Sequence, residues 1–382
     1  MTVKDAFNNS IKVPFFAPEI TNKDRKVVFD ALRSPLLTDG PVLRKFETKF
    51  ASYAGSKYAI GVSNATSALH LSLKALGIGK GDEVIIPDMT FVATASSVIL
   101  AGATPVLADI NVDDLNISPK SIEKNLTSKT RAIISVHFAG KSCNMNAIRQ
   151  IAKKHDLFII EDCAHALGTK FGGKHVGTFG DAGCFSFYPT KNITTIEGGM
   201  ITTNSKKVAD YVQRARNHGI LKSLAQRYTK GKPWEYDVVE AGYNYRIDEI
   251  RSALGLNQLE RLDKINNRRR QICEYYNSKF QNYKWIEIPT ITKNDSCHLY
   301  IIRIKRRGSL SRDKVFEKLL RKGVRTSVHY KPLHEFTLLK QKAKTYGDLE
   351  QSKNAYKEII SLPLYPQMTK RLQDVVIDTI TQ

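Results

Sequence analysis

The chain has 382 residues, and 42% of them are hydrophobic, which suffices for a large core and a smaller second domain. It carries 59 Lys and Arg against 37 Asp and Glu, and the net charge of +22 suits nucleic acid, an anionic membrane or an anionic small substrate. The basic residues are scattered without an RNP-like strand or a zinc-finger pattern, so they favour a lysine-rich solvated surface over a nucleic-acid interface.

From about residue 57 to 205, short apolar runs alternate with helical patterns, which is typical of a mostly parallel sheet with crossover helices. Leu69, Leu73 and Leu76 recur at helical spacing and predict a helix over 64–77, and a second helix is predicted over 145–154. We therefore expect an α/β/α core. Its predicted strands are Tyr58–Val62, Glu83–Ile86, Thr104–Ala108, Ala132–Val136, Leu157–Ile160, Cys184–Phe187 and Gly199–Thr203.

The uncharged stretch from Met89 to Ala108 is long enough to be compared with a membrane span. Thr90, Gly102 and Pro105 interrupt it, so a buried helix followed by a buried strand is predicted instead. The N-terminal sequence MTVKDAFNNSIKVPFF lacks the apolar core of a signal peptide. The five cysteines have no CxxC spacing, which fits a reducing compartment. We expect a cytoplasmic protein without a membrane segment.

The C-terminal part is predicted to form a smaller α+β domain. An amphipathic helix over 247–262 is expected to cross into it from the core, and it is followed by a strand at 298–304 and a helix at 313–322. A further strand is predicted to begin within 325–329. Because no repeat or flexible linker separates the two parts, we expect a large domain over 1–255 and a closely packed small domain over 256–382.

Two residues of the predicted core indicate the chemistry. Lys191 lies in FSFYPTKNITTIEGG at 185–199, and Asp162 follows the strand that ends in Ile159 and Ile160. Pyridoxal phosphate (PLP) needs an amine for its Schiff base and a carboxylate that keeps its pyridine nitrogen protonated, so that the ring acts as an electron sink. A lone lysine is ordinarily a solvated loop residue, but the pair within one α/β core favours PLP.

Further polar and aromatic residues support a cofactor site, although each has a structural alternative. Thr66 and Ser67 lie where a strand turns into a helix, and such a helix start binds phosphate, yet these residue types also cap helices. Ser186 could add a hydroxyl or simply bond to backbone. Phe91 follows a strand end where it could stack on a flat ring or pack in the core. His165 could bond the ring's phenolic oxygen, lie against its face, or be structural.

Several motifs together resemble those of one family, the DegT/StrS-type nucleotide-sugar aminotransferases, over nearly the whole chain. They are LTDGP at 37–41, VSNATSALHL at 62–71, IIPDMTFVATA at 85–95, EDCAHALG at 161–168, FSFYPTKNITTIEGG at 185–199, GYNYRIDEIRSALGLNQLERLD at 242–263 and HYKPL at 329–333. The resemblance implies the fold type I PLP transferase architecture, with a large α/β/α domain, a mostly parallel sheet and a smaller C-terminal α+β domain.

The resemblance also implies a role for each candidate. Lys191 would form the covalent link to PLP, and Asp162 would pair with the pyridine nitrogen. His165 would lie by the ring, and Phe91 would stack on it. The phosphate-binding residues would be Thr66, Ser67 and Ser186.

The resemblance further implies a homodimer with shared active sites. In such dimers the GYNYR segment completes the neighbour's site, so Asn244 and Arg246 would reach the cofactor across the interface. Relatives with histidine in place of the lysine are PLP-dependent sugar dehydratases, so Lys191 favours transamination here. Because EDCAHA departs from the more frequent EDAAQA form, the role of His165 stays open.

Within the family, the segments SVHFAGKS, KHVGTFG, CHLY and VHYKPL look most like the C4 aminotransferases of the pseudaminic acid pathway. The implied reaction transfers an amino group from L-glutamate to a UDP-linked 4-keto-6-deoxy hexose with an N-acetyl group. Lys331 and Arg246 mark candidate regions for binding its diphosphate. An aminotransferase for another ketosugar is the alternative. A PLP-binding regulator would need a helix-turn-helix or a basic arm, and the sequence shows neither.

Overall fold

A computed structural model describes residues 11–221, 234–305 and 310–382. Residues 1–10, which open the stretch inspected for a signal peptide, lie outside this part. The central sheet consists of β1 (Tyr58–Val62), β2 (Glu83–Pro87), β3 (Thr104–Ala108), β4 (Thr130–Val136), β5 (Phe158–Asp162), β6 (Ala182–Ser186) and β7 (Gly199–Thr203). Every predicted core strand is present, with ends shifted by at most two residues.

The strand order is β1-β7-β6-β5-β4-β2-β3, and β7 alone among these strands runs antiparallel to its neighbours. The prediction of a mostly parallel sheet is confirmed. Parallel neighbours bring the carboxyl ends of β2, β4, β5 and β6 to one edge of the sheet, where ligands of open α/β sheets bind.

The helices of the N-terminal part are α1 (Asn22–Leu32), α2 (Pro41–Ala54), α3 (Ala65–Ala75), α4 (Ala93–Leu100), α5 (Pro119–Lys124), α6 (Met145–His155) and α7 (Lys206–Ala215). The sequence explains their ends: Asn64 caps α3, and α6 finishes in basic residues that suit a helix C-terminus. The stretch from 89 to 108 is α4 followed by β3, as predicted. None of the helices in the described residues is both long and apolar enough to span a membrane.

Alternation along the strands builds the two layers of core. Val84 and Ile134 pack with the helical face formed by α3, α4 and α7, whereas Ile85 and Ile133 face the opposite way, toward Ile148 of α6. A strand that is buried on both faces reads as a continuous apolar run, which is why these segments were predicted as short apolar runs. The α/β/α architecture is confirmed.

The C-terminal part contains α8 (Glu249–Leu259), α9 (Leu262–Phe280), β8 (Ile286–Glu287), β9 (Tyr300–Ile304), α10 (Arg312–Arg321), α11 (Thr337–Lys342), α12 (Glu350–Glu358), β10 (Ile359–Leu362) and α13 (Lys370–Thr381). Strands β8, β9 and β10 form an antiparallel sheet. A separate core there includes Tyr276, Tyr300 and Ile360, and Val13 of the N-terminal segment joins it.

Two expectations for this part are wrong. The predicted crossing helix ends at Leu259 and packs on α1 and α2, and α9 makes the crossing instead. Ile265 near its start lies in a core with Phe50, whereas Ile272 lies in the C-terminal core. Within 325–329 the structure forms only one isolated bridge, between Ser327 and Ser361, and Val324 just before this segment forms another with Val13, so no continuous strand is present there. The division at residue 255 stays a prediction.

Candidate active site

The carboxyl edge of the sheet brings together the residues selected from the sequence. Asp162 ends β5, Ser186 ends β6, and Lys191 lies in the turn after β6. Phe91 lies between β2 and α4. Because these segments come from separate parts of the chain, only the sheet order makes them one site.

Asp162 is buried, with 6% of its surface exposed, and it has two hydrogen-bond donors. Thr94 Oγ1 donates to Oδ2 over 3.0 Å, and the Ala164 N–H donates to Oδ1 over 3.1 Å. Burial raises the pKa of Asp162, while those two hydrogen bonds and the positive charge of Lys191 oppose the rise. A cationic partner such as a pyridinium nitrogen would stabilise the ionised carboxylate in this place.

Lys191 is partly buried, and it lines a cavity together with His165, His298, His329 and Tyr330. Burial lowers the pKa of its amine to about 8, although the negative charge of Asp162 works in the opposite direction. No carboxylate of the described residues forms an ion pair with it. An amine that is partly neutral near physiological pH can act both as a nucleophile and as a base.

His165 is buried, and only one of its ring nitrogens has a partner. Tyr330 Oη lies 3.0 Å from Nε2, whereas Nδ1 has no hydrogen-bond partner among the described residues. Burial, with the charge of Lys191 second, lowers the pKa of His165 well below its usual value, and burial raises that of Tyr330. The neutral ring shares one hydrogen bond with the Tyr330 hydroxyl through Nε2 and leaves Nδ1 without a partner among the described residues. In the tautomer with its proton on Nδ1, the ring would offer a buried donor that suits the phenolic oxygen of PLP.

The start of α3 offers a place for the cofactor phosphate. Its first backbone N–H groups, at Ala65 and Thr66, have no hydrogen-bond partner in the described part of the chain. Ser67 differs, because its hydroxyl donates to Asn64 O over 2.7 Å and accepts from the Asn64 N–H, so it is already engaged as the partner of Asn64 in the capping box. We infer that backbone N–H groups, with the free Thr66 hydroxyl, offer more to an anion than Ser67 does.

Ser186 reaches the same place through the sheet. It pairs with Gly199 in the antiparallel β6–β7 ladder, and a side chain on Gly199 would meet the backbone of Asn64 and Ala65 within 3.0 Å. The Ser186 Oγ accepts only a long hydrogen bond of 3.4 Å, from the Tyr188 N–H. Glycine thus lets β7 lie against the helix start, and Ser186 keeps a hydroxyl available beside it.

Phe91 is 56% exposed and lies with its ring centroid 6.0 Å from that of Tyr330. The alternative that it packs in the core is wrong. A large aromatic side chain left exposed at the ligand-binding edge of a sheet is available to stack on a flat ring.

Asn244 and Arg246 make no described contact with Lys191, Asp162 or His165. Asn244 is exposed, and Arg246 Nη1 donates to Asn217 Oδ1 over 2.6 Å. The same segment lies close to the phosphate turn of its own chain, since Tyr245 O accepts from the Ser63 N–H over 2.8 Å. Their role in a neighbouring subunit stays a prediction.

Lys331 is the other residue considered for the diphosphate. Its Nζ lies 3.8 Å from Glu335 Oε2 and 5.2 Å from the centroid of the Phe336 ring.

Sequence reasoning missed three residues of the site: Thr94, Tyr330 and His298. Thr94 lies one helical turn after Phe91 inside the motif IIPDMTFVATA, and that spacing was a usable signal. Tyr330 lies in HYKPL and His298 in CHLY, but nothing local shows that these segments approach Lys191.

Comparisons with known proteins identify the family of the chain. A sequence model described as the DegT/DnrJ/EryC1/StrS aminotransferase family matches residues 18–381. The spore coat polysaccharide biosynthesis protein SpsC of Bacillus subtilis is 39% identical over 373 residues, or 96% of each chain.

Two solved structures share the fold. The putative sugar aminotransferase Spr1654 from Streptococcus pneumoniae in its PMP form has a TM-score of 0.90 and 32% identity over 97% of this chain and 98% of that chain. Helicobacter pylori PseC, an aminotransferase involved in the biosynthesis of pseudoaminic acid, has a TM-score of 0.89 and 32% identity over 96% of this chain and 98% of its own.

Proposed function

Because this chain belongs to the DegT/DnrJ/EryC1/StrS aminotransferase family, we propose that its PLP-dependent reaction aminates a nucleotide-linked ketosugar with L-glutamate as donor. The acceptor in this proposal is a UDP-linked 4-keto-6-deoxy hexose with an N-acetyl group, aminated at C4 to a UDP-4-amino-4,6-dideoxy-N-acetyl-altrosamine-type product. The likeness to PseC supports this choice of sugar, as do the motifs CHLY and VHYKPL. A ketosugar aminated at C3, or at C4 in another configuration, is the alternative.

One observation carries the proposal: the partly buried Lys191 amine, whose pKa burial lowers to about 8, lies within electrostatic reach of the buried Asp162 carboxylate. The residues fit PLP at each of its polar groups. Lys191 offers the amine, Asp162 offers the carboxylate that the pyridine nitrogen needs, and the unpaired Nδ1 of His165 suits the phenolic oxygen when it carries the proton. The α3 N-terminus and Ser186 suit the phosphate.

When bound, PLP supplies an electron sink that stabilises negative charge on the carbon beside the reacting nitrogen. The side chains supply the rest. In each half-reaction Lys191 Nζ would carry a proton between the substrate carbon and the cofactor, away from the amino donor in the first and toward the sugar in the second. Asp162 would pair with the positive charge of the pyridine nitrogen, and Asp162 and His165 are both buried from water.

The proposed active unit is a cytoplasmic homodimer in which Asn244 and Arg246 complete the partner's site. Support comes from the orientation of the segment: Tyr243 and Tyr245 stack on each other, with ring centroids 4.9 Å apart, and pack against the core of their own chain. Neighbouring side chains of an extended segment point to opposite sides, so Asn244 is directed outward.

Mixing two inactive variants, Lys191→Ala and Asn244→Asp, tests the shared site. The aspartate would repel the cofactor phosphate. In a mixed dimer one site carries both defects and the other neither, so random exchange of equal amounts should restore about a quarter of the wild-type rate. Differently tagged subunits verify that mixed dimers form. If they form without recovery of activity, Asn244 belongs to its own subunit's site or to none.

The reaction itself is tested by incubating the protein with glutamate and a panel of UDP-linked ketosugars. We expect one 4-keto-6-deoxy-N-acetyl hexose to be consumed, with a C4 amine in the product by NMR, and the Lys191→Ala protein serves as the matched control. Amination of a 3-keto sugar alone would establish the alternative, and no amination of any sugar would refute the proposed class of substrate.

A further inference from the structure

A chain of amide hydrogen bonds leads from a backbone carbonyl to His298, which lines the Lys191 cavity. Asn266 Nδ2 donates to Leu167 O over 2.9 Å, and Asn266 Oδ1 accepts from Asn192 Nδ2 over 2.6 Å. Asn192 Nδ2 also donates to Ser296 O over 2.8 Å. Because backbone carbonyls can only accept, these bonds fix the orientation of both amide groups.

The fixed amides determine the tautomer of His298. Both protons of the Asn192 amide are used, so its Oδ1, which lies 3.2 Å from His298 Nδ1, must accept. Nδ1 therefore carries the proton. Burial, reinforced by the charge of Lys191, lowers the pKa of His298 well below its usual value, so the ring is neutral. Its Nε2 consequently has a lone pair, and no described residue donates to it.

The backbone around His298 is held as firmly as the ring. The buried Arg269 donates to Cys297 O over 2.9 Å and to His298 O over 2.7 Å. Gly140 lies so close that a side chain there would meet the backbone nitrogens of Cys297 and His298 within 3.0 Å. The His298 ring centroid is 4.4 Å from that of His165. A hydrogen-bond acceptor is thus held in a fixed position and protonation state beside the reacting amine.

We propose that His298 is a substrate-binding residue whose Nε2 accepts a hydrogen bond from an N–H or O–H of the molecule reacting at Lys191, and that Asn192 and Asn266 are its positioning residues. The inference rests on the proposed function. The donor group belongs either to the amine of the amino donor or to a hydroxyl of the ketosugar, and the two half-reactions separate these sources.

Two substitutions of His298 distinguish the roles of its two ring nitrogens. In His298→Asn the shorter amide keeps a donor near the position of Nδ1 for Asn192 but removes the acceptor at Nε2. In His298→Gln the longer amide places an acceptor near the position of Nε2. Each half-reaction is followed by absorbance, first with glutamate and then with the ketosugar. We expect His298→Asn to raise KM by about tenfold or more in one half-reaction, and His298→Gln to recover most of it.

The half-reaction in which KM rises shows whether the donor group belongs to the amine of the amino donor or to a hydroxyl of the ketosugar. Equal KM values for wild type and both variants in both half-reactions would overturn the proposal, and so would a larger defect in His298→Gln than in His298→Asn.

The tautomer is measured independently of turnover, by ¹⁵N NMR of the histidines, with His298→Gln to assign the signal. We expect a protonated Nδ1 and an unprotonated Nε2 in the wild type, and loss of this fixed pattern in Asn192→Leu. A proton on Nε2 would overturn the proposal. If the wild type aminates no ketosugar, the proposed function fails, whereas the NMR result and the glutamate half-reaction still decide the role of His298.

Discussion

Two neighbouring carboxylates at the end of β5 lie in opposite environments. Asp162 lies at the carboxyl edge of the sheet, where Thr94 and Ala164 provide two hydrogen bonds and burial raises its pKa. Glu161 points to the other face of the sheet and is fully enclosed. Its carboxylate accepts from the backbone N–H groups of Gly177, Phe179 and Gly180 and also contacts His137 Nε2 over 3.0 Å.

The two carboxylates differ in how much of their hydrogen-bonding capacity the protein itself uses. Glu161 uses its lone pairs to fix the loop before β6, and the Cys143 N–H donates to His137 Nδ1, so both nitrogens of that histidine have protein partners. Cys163 lies close enough to make a three-residue cluster with them, but the engaged nitrogens give the cluster a structural character. Asp162 has hydrogen-bonding capacity left for a ligand. Of two acidic residues adjacent in sequence, Glu161 is thus saturated by protein donors, and Asp162 is the one for which a catalytic role is proposed.

The largest effect on turnover is expected from a substitution of Lys191, which lies at the same edge of the sheet as Asp162. Lys191→Ala should lower turnover by about 10⁴-fold or more, because the amine is both the nucleophile and the base. The temperature of unfolding should stay near that of the wild type, since the amine has no ion-pair partner to lose among the described residues. Borohydride reduction followed by peptide mapping should find PLP on Lys191 in the wild type. Cofactor fixed to another lysine would refute the assignment.

Asp162→Asn should lower turnover by about a hundredfold or more, or roughly 3 kcal/mol of transition-state stabilisation, because an amide cannot hold the pyridinium charge. The apo protein should not lose stability at neutral pH. A carboxyl whose pKa is raised in the folded state destabilises that state when ionised, so removing the charge is not unfavourable. Turnover within a few-fold of wild type would give Asp162 the same structural role as Glu161.

Glu161→Gln is the matched control and should show the reverse pattern. The amide brings N–H donors into a site built from backbone donors, so the free energy of unfolding should fall by about 2 kcal/mol. Turnover of the folded fraction should stay within a few-fold of wild type. Denaturant unfolding and steady-state kinetics on the same preparation measure both. A hundredfold loss of turnover without loss of stability would show that the contrast between the two carboxylates is wrong.

The smallest effect is a shift along the pH axis. With a Lys191 pKa of about 8, the neutral amine increases as pH rises through that value and levels off above it. The rate at which the apo protein captures PLP should follow the same curve. Asp162→Asn removes the charge that opposes the lowered pKa, so the midpoint should move to lower pH. A rate still rising steeply near the ordinary lysine pKa of about 10.4 would mean that the amine is not desolvated.

Local patterns in the sequence determined much of the fold and part of the site. The strands of the central sheet were predictable because each is a short apolar run buried on both faces, and α3 and α6 because their apolar spacing and ends are local. Lys191 and Asp162 were identified because PLP chemistry demands an amine and a carboxylate at strand ends. The crossing helix was misplaced because the break between Leu259 and Leu262 contains no glycine or proline to reveal it.

Only the tertiary structure decided which polar atoms are left to bind a ligand. Glu161 and Asp162 look equivalent in the sequence, and their different roles follow from what packs on each face of β5. Ser67 matches an anion-binding motif, yet its hydroxyl is used by Asn64. Tyr330 and His298 approach Lys191 through contacts between distant parts of the chain. Hydrogen-bond saturation and protonation state depend on those long-range neighbours, which is why the sequence predicted residue types and the fold determined their chemistry.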